Sequence, residues 1–237
     1  MNEFHVQTTL KEESPLNKAQ RIKNARIPVQ KNTHGGRLPP GQTLTEKFPI
    51  LHEGEVPAYD LDKWDLKIFG LGVKERSITY DELLTLPQTT IVKDIHCVTR
   101  WSKFDNEFAG VTFRDFLKHF DISIPDKATH IMVYGDYDYD TNLPIDDLLK
   151  DDILLAHSYN GEPLTPKHGW PLRLIVPHLY FWKSAKWLRG FEFMTEDRPG
   201  FWEKNGFHKY GDVFEEERFS GEDLDIPEDE WEKKDFD

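Results

Sequence analysis

The chain has 237 residues and a formal net charge of −13 at pH 7, from 43 acidic and 30 basic side chains, and it contains a single cysteine. One cysteine excludes an internal disulfide and every multi-cysteine zinc or iron-sulfur motif, which favours a reducing, cytoplasmic setting. The sequence shows neither an export signal at its first residues nor a run of about 18 apolar residues, so we expect no membrane span.

The two ends of the chain differ in composition from its centre. Residues 1–45 contain scattered Lys and Arg and a stretch rich in Gly and Pro, which predicts an extended arm. Residues 213–237 form an acidic tail, in which positions 215–237 hold twelve acids and three bases. Such a charge run is most often a solvated end, although the aromatic residues within it could instead strap it onto the domain. Residues 46–212 remain as the main domain.

Short strands and short helices alternate within this domain. Apolar alternation predicts a strand at 64–70, and acids in a capped first turn predict a helix at 77–87. A second helix is expected at 112–120, capped by its first residue, Thr112. Further elements are a third helix at 144–149 and strands at 89–95, 130–134, 172–177 and 187–194. The helices are too short for a doubly wound sheet, so the sequence predicts a mixed α+β fold.

Cys97 lies where the apolar run at 89–95 gives way to a polar, cationic and aromatic turn. A thiolate is a soft metal ligand and a nucleophile, and neighbouring cations such as His96 and Arg100 favour its ionised form. Cys97 is therefore the first candidate for chemistry. A lone free cysteine is more often a small buried hydrophobic residue, and these neighbours alone favour that interpretation.

Cations in this acidic chain gather in two stretches. His168 and Arg173 lie at the two ends of a turn that leads into an apolar strand, and 178–189 interleaves basic with aromatic residues. Basic groups beside Ser hydroxyls and backbone amides suit a phosphate or another anion. Such interleaving can also bind single-stranded nucleic acid, but the strong acidity elsewhere argues against a nucleic acid partner.

Three motifs follow one another along the chain, and a closing motif comes after them. HCVTRWS at 96–102, followed by FAGVTFRDFL at 108–117, resembles the cysteine segment of the molybdopterin-binding domain of the sulfite-oxidase superfamily. HGWPLRLIVP at 168–177 and WKSAKWL at 182–188 resemble the two pterin-binding segments of that family. GFWE and GFHKYGD, within 200–212, resemble the closing motif of its heme-free bacterial branch.

The resemblance implies a molybdenum-molybdopterin oxidoreductase of the sulfite-oxidase type, with its catalytic domain at 46–212. Molybdenum would be bound by the two dithiolene sulfurs of molybdopterin and by the Cys97 thiolate, and would carry out two-electron oxygen-atom transfer. Arg100 would face the oxo groups or the substrate, and one of Tyr137 and Tyr139, with Tyr137 as the candidate, would deliver a proton. The cofactor contacts carried over from the family are His52, Cys97, Thr99, His168, Arg173, Lys183, Ser184 and Lys186.

The chain departs from true sulfite oxidases in several respects. Ile50 and Leu51 stand where those enzymes carry Arg and Asn just before the histidine, and that Arg helps to hold sulfite. The loss of this Arg argues against sulfite as the substrate. The resemblance to periplasmic methionine-sulfoxide reductase catalytic subunits implies a small S- or N-oxide instead, in either direction of reaction. No heme motif occurs, so we expect a separate electron-transfer partner. The dimerisation domain of the family is missing, so we expect a monomer.

A binding module that keeps the fold and an anion or cofactor without catalysis is the alternative. Several site residues also have a structural alternative, in which His168 caps its turn, Arg173 pairs with an acid and Lys183 is solvent-exposed. The retention of Cys97 together with both pterin-binding segments favours the enzyme.

Overall fold

The computed structural model describes residues 13–25 and 34–220, and within these ranges the chain forms eleven strands and five α-helices. The strands are β1 (Thr43–Leu44), β2 (Asp65–Phe69), β3 (Arg76–Thr79), β4 (Thr89–His96), β5 (Trp101–Thr112), β6 (His130–Gly135), β7 (Asp140–Pro144), β8 (Leu154–Tyr159), β9 (Glu162–Pro163), β10 (Arg173–Ile175) and β11 (Leu188–Met194). The helices are α1 (Pro15–Asn24), α2 (Tyr80–Leu84), α3 (Phe113–His119), α4 (Ile145–Leu148) and α5 (Phe201–Lys204). Three short 3-10 helices are formed by Leu61–Lys63, Pro166–His168 and Phe181–Lys183.

The strands form two mixed sheets that share one hydrophobic core. In the first sheet β5 pairs with β1, β4 and β8, and β8 continues to β9 and β10. The order of the second sheet is β3, β2, β11, β6, β7, with β2 and β11 parallel. The core contains Val111 and Leu155 from the first sheet together with Leu66, Val133 and Phe191 from the second. The predicted mixed α+β fold is therefore confirmed.

Local sequence explains the best-predicted elements. The alternation seen at 64–70 becomes β2, whose Leu66 and Ile68 are fully buried. The helix expected at 112–120 is α3, because the Thr112 hydroxyl accepts a hydrogen bond from the Asp115 amide at 3.1 Å. The predicted strands at 89–95, 130–134, 172–177 and 187–194 are found as β4, β6, β10 and β11.

Two of the predicted helices begin later than expected. The helix predicted from residue 77 starts at Tyr80, because Ser77 and Ile78 pair with β2 and Thr79 forms a capping box with Glu82. The helix predicted at 144–149 places Pro144 at the cap position rather than in the first turn. Tertiary pairing and proline geometry thus shorten both helices.

Strands β5, β7 and β8 have no clear signal in the sequence. The twelve residues of β5 bury polar as well as apolar side chains, so the sequence does not show the alternation of apolar and polar residues that would predict a strand. Asn106, for example, is completely buried and donates hydrogen bonds to the carbonyls of Lys93 and Lys103 at 3.1 and 2.7 Å. Contacts between strands, which are not local in the sequence, satisfy these polar groups.

Part of the predicted N-terminal arm is helical. Ser14 caps α1 by accepting a hydrogen bond from the Asn17 amide at 3.2 Å, and Pro15 occupies the first turn. Ala19 of α1 is 1% exposed and packs against the main domain. The extended-arm prediction is wrong for 15–24, because the Ser-Pro pair there is a helix start signal. The arm predictions for 1–12 and 26–33 lie outside the described residues.

The first part of the predicted acidic tail packs onto the domain. Phe219 pairs with Phe207 through an isolated bridge, and Arg218 is only 4% exposed. The Arg218 guanidinium donates to the carbonyls of Val98 and Pro40 at 3.2 and 3.0 Å. These contacts agree with the strap alternative for 213–220, and the tail prediction for 221–237 lies outside the described residues.

The helices in the described part of the chain are short. The longest, α1, has ten residues, about half of what a bilayer crossing requires, and none of these helices meets the length and hydropathy of a membrane span.

Candidate active site

The Cys97 turn connects β4 to β5 and has a fixed backbone conformation. The Cys97 amide donates to the Trp101 carbonyl, and the Arg100 amide donates to the Cys97 carbonyl, both at 2.9 Å. Arg100 has a φ of 73°, the left-handed conformation that closes the turn. The buried Gln42 side chain also donates to the Cys97 carbonyl at 3.0 Å. Antiparallel pairing and these bonds therefore fix the backbone from which the thiol projects.

The Cys97 side chain is 9% exposed, and its sulfur accepts a hydrogen bond from the Thr99 hydroxyl at 3.1 Å. Burial raises the pKa of the Cys97 thiol, so without a bound metal the thiol is protonated at neutral pH. A bound metal ion would displace this proton, because metals coordinate the thiolate. Arg218 and Lys186 oppose the shift through their positive charges.

A cavity of about 180 Å³ opens beside Cys97. Six of the ten predicted site residues line it: His52, Cys97, Thr99, Arg173, Ser184 and Lys186. The other four, Arg100, Tyr137, His168 and Lys183, do not line it. The turn after β4, the loop before the first 3-10 helix, and the segment between β10 and β11 converge on this cavity.

Arg173 is a buried guanidinium that has no carboxylate partner among residues 13–25 and 34–220. It is 1% exposed, and it donates to the carbonyls of His168 and Ser184 at 2.8 and 3.0 Å. Its Cζ atom lies 4.3 Å from the centre of the Phe181 ring, and its Nε has no hydrogen-bond partner. Burial lowers the pKa of Arg173 to about 9, so it is charged at neutral pH. An unpaired buried cation indicates a site for an anion.

Lys186 adds a second cation to the same part of the cavity. Its ammonium group donates to the carbonyls of Leu51 and Lys167 at 2.7 and 2.8 Å. Burial, followed by the charge of Arg173, lowers the pKa of Lys186 to about 7. Gly169, with a φ of 112°, packs between the two side chains, because a Cβ atom there would lie 3.1 Å from that of Arg173 and 3.2 Å from that of Lys186. Glycine thus allows the two cations to approach each other.

Ser184 and His52 line the cavity, whereas His168 does not. The Ser184 hydroxyl accepts a hydrogen bond from the Val176 amide at 2.9 Å and can still donate. The His52 ring lines the cavity and makes a 3.1 Å contact with the Gly54 carbonyl, and burial lowers the pKa of His52. His168 instead stacks on Phe48, with ring centres 4.2 Å apart.

His168 therefore acts on the cavity indirectly. Its ring nitrogens contact the Thr165 hydroxyl at 2.9 Å and the Phe48 carbonyl at 3.3 Å, and its own carbonyl accepts from Arg173. Phe48 lines the cavity, so the ring of His168 holds one cavity wall in place. This arrangement resembles the turn-capping alternative more than a direct phosphate contact.

Arg100 and Tyr137 lie away from the cavity. The Arg100 guanidinium lies near Gly41, on the side of the turn where Arg218 and Glu216 also approach. Tyr137 is 47% exposed, with its ring edge on Trp187. The geometry supports neither residue as a direct substrate contact.

Tyr139, the second tyrosine of the same segment, lines the cavity. Its hydroxyl donates a hydrogen bond to the Trp182 carbonyl. Burial raises the pKa of Tyr139 well above its usual range, so the phenol keeps its proton. Of the two tyrosines considered from the sequence, Tyr139 is the one that lines the cavity, and its hydroxyl proton is donated to the Trp182 carbonyl.

Lys183 belongs to a buried polar network behind the cavity. Both Lys183 and Glu203 have fully buried side chains, and their Nζ and Oε1 atoms are 2.6 Å apart. Lys183 also donates to the Asn142 carbonyl at 3.0 Å, and Glu203 accepts from the Trp182 indole at 2.9 Å. The ammonium group is thus committed to the protein, which argues against the predicted cofactor contact and equally against solvent exposure.

We expect Lys183→Met to lower the free energy of unfolding by about 3–5 kcal/mol, because it leaves the Glu203 carboxylate buried without its cation. Urea denaturation measures this loss. Asp151→Asn is the control, since it breaks the exposed Arg114–Asp151 pair and should cost about 0–1 kcal/mol. Equal, small losses in both variants, with reduced pterin content only in Lys183→Met, would instead restore Lys183 as a cofactor contact.

Further residues of the cavity were not predicted from the sequence. Lys18 and Ile22 of α1 line it, as do Trp202 and Phe207 from the closing motif. The sequence signal that could have identified α1 is the spacing of Ala19 and Ile22, because apolar residues three positions apart lie on one face of a helix. Within the described residues no group of three His, Cys, Asp or Glu side chains could hold a metal ion, so a metal at Cys97 would take its other ligands from a bound group or from water.

Comparison with known proteins gives a consistent picture. The family profile described as "Oxidoreductase molybdopterin binding domain" matches residues 53–202. The uncharacterized oxidoreductase YuiH of Bacillus subtilis (strain 168) is 44% identical over 193 residues, which make up 81% of this chain and 96% of that protein. The putative protein-methionine-sulfoxide reductase subunit YedZ1 of Azospira oryzae is 30% identical over 176 residues, 73% of this chain and 66% of that protein.

More distant matches agree with the resemblance seen in the motifs. Sulfite oxidases of a fly, a bird and man are 24–25% identical, and the aligned part spans 33–44% of their length. The crystal structure of the sulfane dehydrogenase SoxCD from Paracoccus pantotrophus matches with a TM-score of 0.54 and 22% identity, over 60% of this chain and 40% of that chain. This structural likeness shows a shared fold.

Proposed function

The chain belongs to the family of oxidoreductase molybdopterin-binding domains, and from this premise we propose that it transfers an oxygen atom in a two-electron reaction on a small organic S- or N-oxide. It is an oxidoreductase of the sulfite-oxidase superfamily, and the cofactor of this family is molybdenum bound to molybdopterin. The binding-module alternative is not favoured, because the relatives are oxidoreductases.

The residues around the cavity fit this cofactor. Molybdopterin carries a phosphate, and the buried, unpaired guanidinium of Arg173 with its orphaned Nε is the observation that carries the proposal. Lys186 and the Ser184 hydroxyl lie on the same side of the cavity and would share the phosphate or the pterin. Cys97, whose thiol faces the same cavity, would be the thiolate ligand of the metal.

When bound, the cofactor supplies the oxygen-atom transfer chemistry, and the protein supplies position and environment. In the balanced reaction of an S-oxide, the sulfoxide takes up two electrons and two protons, its sulfur–oxygen bond breaks, and a thioether and one water molecule are formed. Thr99 fixes the Cys97 sulfur by a hydrogen bond, and Tyr139 holds a proton on its hydroxyl within the cavity wall. The surrounding aromatic side chains exclude water, which strengthens these interactions.

The substrate class rests on two observations. Ile50 and Leu51 are each 45% exposed and carry no charge, so this segment offers no cation at the position where the resemblance to sulfite oxidases implies a sulfite-binding Arg. The name of the Azospira relative refers to a methionine sulfoxide. Both support reduction of an organic S-oxide over oxidation of sulfite, with electrons supplied by a separate redox protein.

A dye-coupled assay of protein produced in a host that makes molybdopterin tests the proposal. With reduced viologen as the electron donor, we expect organic sulfoxides or N-oxides to reoxidise the dye in proportion to the molybdenum content. Sulfite with ferricyanide as the acceptor is the comparison. Turnover of sulfite alone would reverse the proposed direction, and no turnover by a fully loaded protein in either assay would refute it.

A further inference from the structure

The cavity beside Cys97 has two unlike sides. Arg173, Lys186 and Ser184 form the cationic side. On the other side, Cys97 belongs to one apolar cluster with Val98 and several aromatic side chains, among them Trp182, Trp202 and Phe207. Trp202 and Phe207 are stacked with their ring centres 4.7 Å apart, and Phe207 lies edge-on to Trp182 at 4.9 Å.

We propose that the aromatic side, together with Ile22 of α1, determines the substrate: an S- or N-oxide whose remaining substituents are small and apolar, in preference to an inorganic oxyanion. This inference rests on the proposed function and deepens it. The phosphate-bearing cofactor takes the cationic side, because its charge is stabilised there. The space next to the Cys97 thiol is then bounded by Ile22, Trp202 and Phe207.

The charges around the cavity support a neutral substrate. Lys18 pairs with Glu53 and Arg21 pairs with Glu13, so the two cations that α1 brings to the cavity are already neutralised. Arg173 and Lys186, the two cavity cations without a carboxylate partner among the described residues, belong to the cationic side. An oxyanion next to the aromatic rings would lose its hydration without gaining a free cation among the described residues. A neutral sulfoxide needs one hydrogen-bond donor, and its apolar groups gain contact with the rings.

Helix α1 limits the size of this space. Its Lys18 reaches the loop of Glu53 on one side of the cavity and lies 5.7 Å from the centre of the Trp202 ring on the other. Ala19, 1% exposed, packs in the same apolar cluster as Cys97, and Ile22 packs against this cluster. Both walls thus hold α1 in place, and the Ile22 side chain becomes part of the boundary that a substrate meets.

Substitutions at Ile22 test the proposal in the holoenzyme. We compare dimethyl sulfoxide with methyl phenyl sulfoxide, with reduced viologen as the electron donor, in the wild type, Ile22→Phe and Ile22→Ala. Ile22→Phe should raise KM for methyl phenyl sulfoxide about tenfold relative to dimethyl sulfoxide, the scale of a small volume change in an apolar pocket. Ile22→Ala should shift the ratio in the opposite direction. Leu16→Ala, an exposed position on the same helix, is the control and should leave the ratio unchanged.

A second measurement separates this inference from the proposed function. Calorimetric titration of the oxidised holoenzyme with methyl phenyl sulfide, the thioether that the proposed reduction forms, should give binding that Ile22→Phe weakens and that an excess of sulfite does not displace. Absence of binding, displacement by sulfite, or a substrate ratio that no Ile22 variant changes would overturn the aromatic-side assignment while leaving an oxidoreductase. Binding without turnover of any oxide would leave the assignment standing and refute the proposed reaction.

Discussion

Cys97→Ser should abolish oxygen-atom transfer while leaving molybdopterin in the protein. Serine keeps the size of the side chain and its hydrogen bond with Thr99, but its hydroxyl is a poor ligand for a soft metal. The cationic side of the cavity, which would bind the phosphate, is untouched. Removing a residue that hydrogen-bonds to a metal ligand typically lowers activity by up to about 100-fold. We expect Cys97→Ser, which removes the ligand itself, to lose more activity than this and to have a lower ratio of molybdenum to pterin.

Metal analysis by mass spectrometry and the fluorescence of the oxidised pterin measure the molybdenum and the pterin. Thr99→Val is the matched variant, because it removes the hydrogen bond to the Cys97 sulfur and keeps the thiol. Its loss of activity should be about 10- to 100-fold, since it alters only the orientation of the ligand. Full activity in Cys97→Ser would remove Cys97 from the chemistry, and loss of pterin as well would indicate a structural role.

The site residues that sequence alone could predict belong to short, continuous motifs. Cys97 and Thr99 share one turn, and Arg173, Ser184 and Lys186 lie within segments whose order along the chain carries the family resemblance. The backbone of each motif determines which groups these residues can contact, so the motif alone is sufficient to predict them. The strands with clear alternation, such as β2, were predictable for the same reason.

The remaining site residues depend on tertiary contacts that no local pattern encodes. Lys183 lies in a cofactor-like motif, yet its ammonium meets Glu203, twenty positions away, in a buried pair. Tyr137 and Tyr139 both lie in the loop between β6 and β7, and only the folded chain shows that Tyr139 lines the cavity while Tyr137 is 47% exposed. Ile22 reaches the site from a helix at the other end of the sequence.

The basic and aromatic stretch at 178–189 shows how such contacts change an interpretation. Its spacing was compatible with nucleic acid binding, but the folded protein uses its cations internally. His178 contacts Asp147 at 3.1 Å, and Arg189 pairs with Asp65 at 2.6 Å. Lys186 faces the cavity. The described residues therefore present no basic strip along this segment, in agreement with the acidic balance of the chain.

Arg173→Met should have opposite effects on stability and on cofactor binding. In the cofactor-free protein the guanidinium is buried without a carboxylate among the described residues, so a methionine of similar length should leave the free energy of unfolding unchanged or raise it. In the holoprotein the same change removes charge-assisted hydrogen bonds to the phosphate, each worth about 1.5–3 kcal/mol. Affinity for molybdopterin should therefore fall by about 10- to 150-fold per lost bond.

Pterin content after purification, together with urea denaturation of protein from a host that makes no molybdopterin, measures the two effects. Arg189→Met is the matched control, because Arg189 pairs with Asp65 outside the cavity. This variant should have a lower free energy of unfolding and an unchanged pterin content. If Arg173→Met destabilises the cofactor-free protein and leaves pterin content unchanged, Arg173 serves packing alone. An anion-binding site should change the free energy of unfolding in opposite directions in the two variants, because the unpaired charge of Arg173 destabilises the protein until an anion binds.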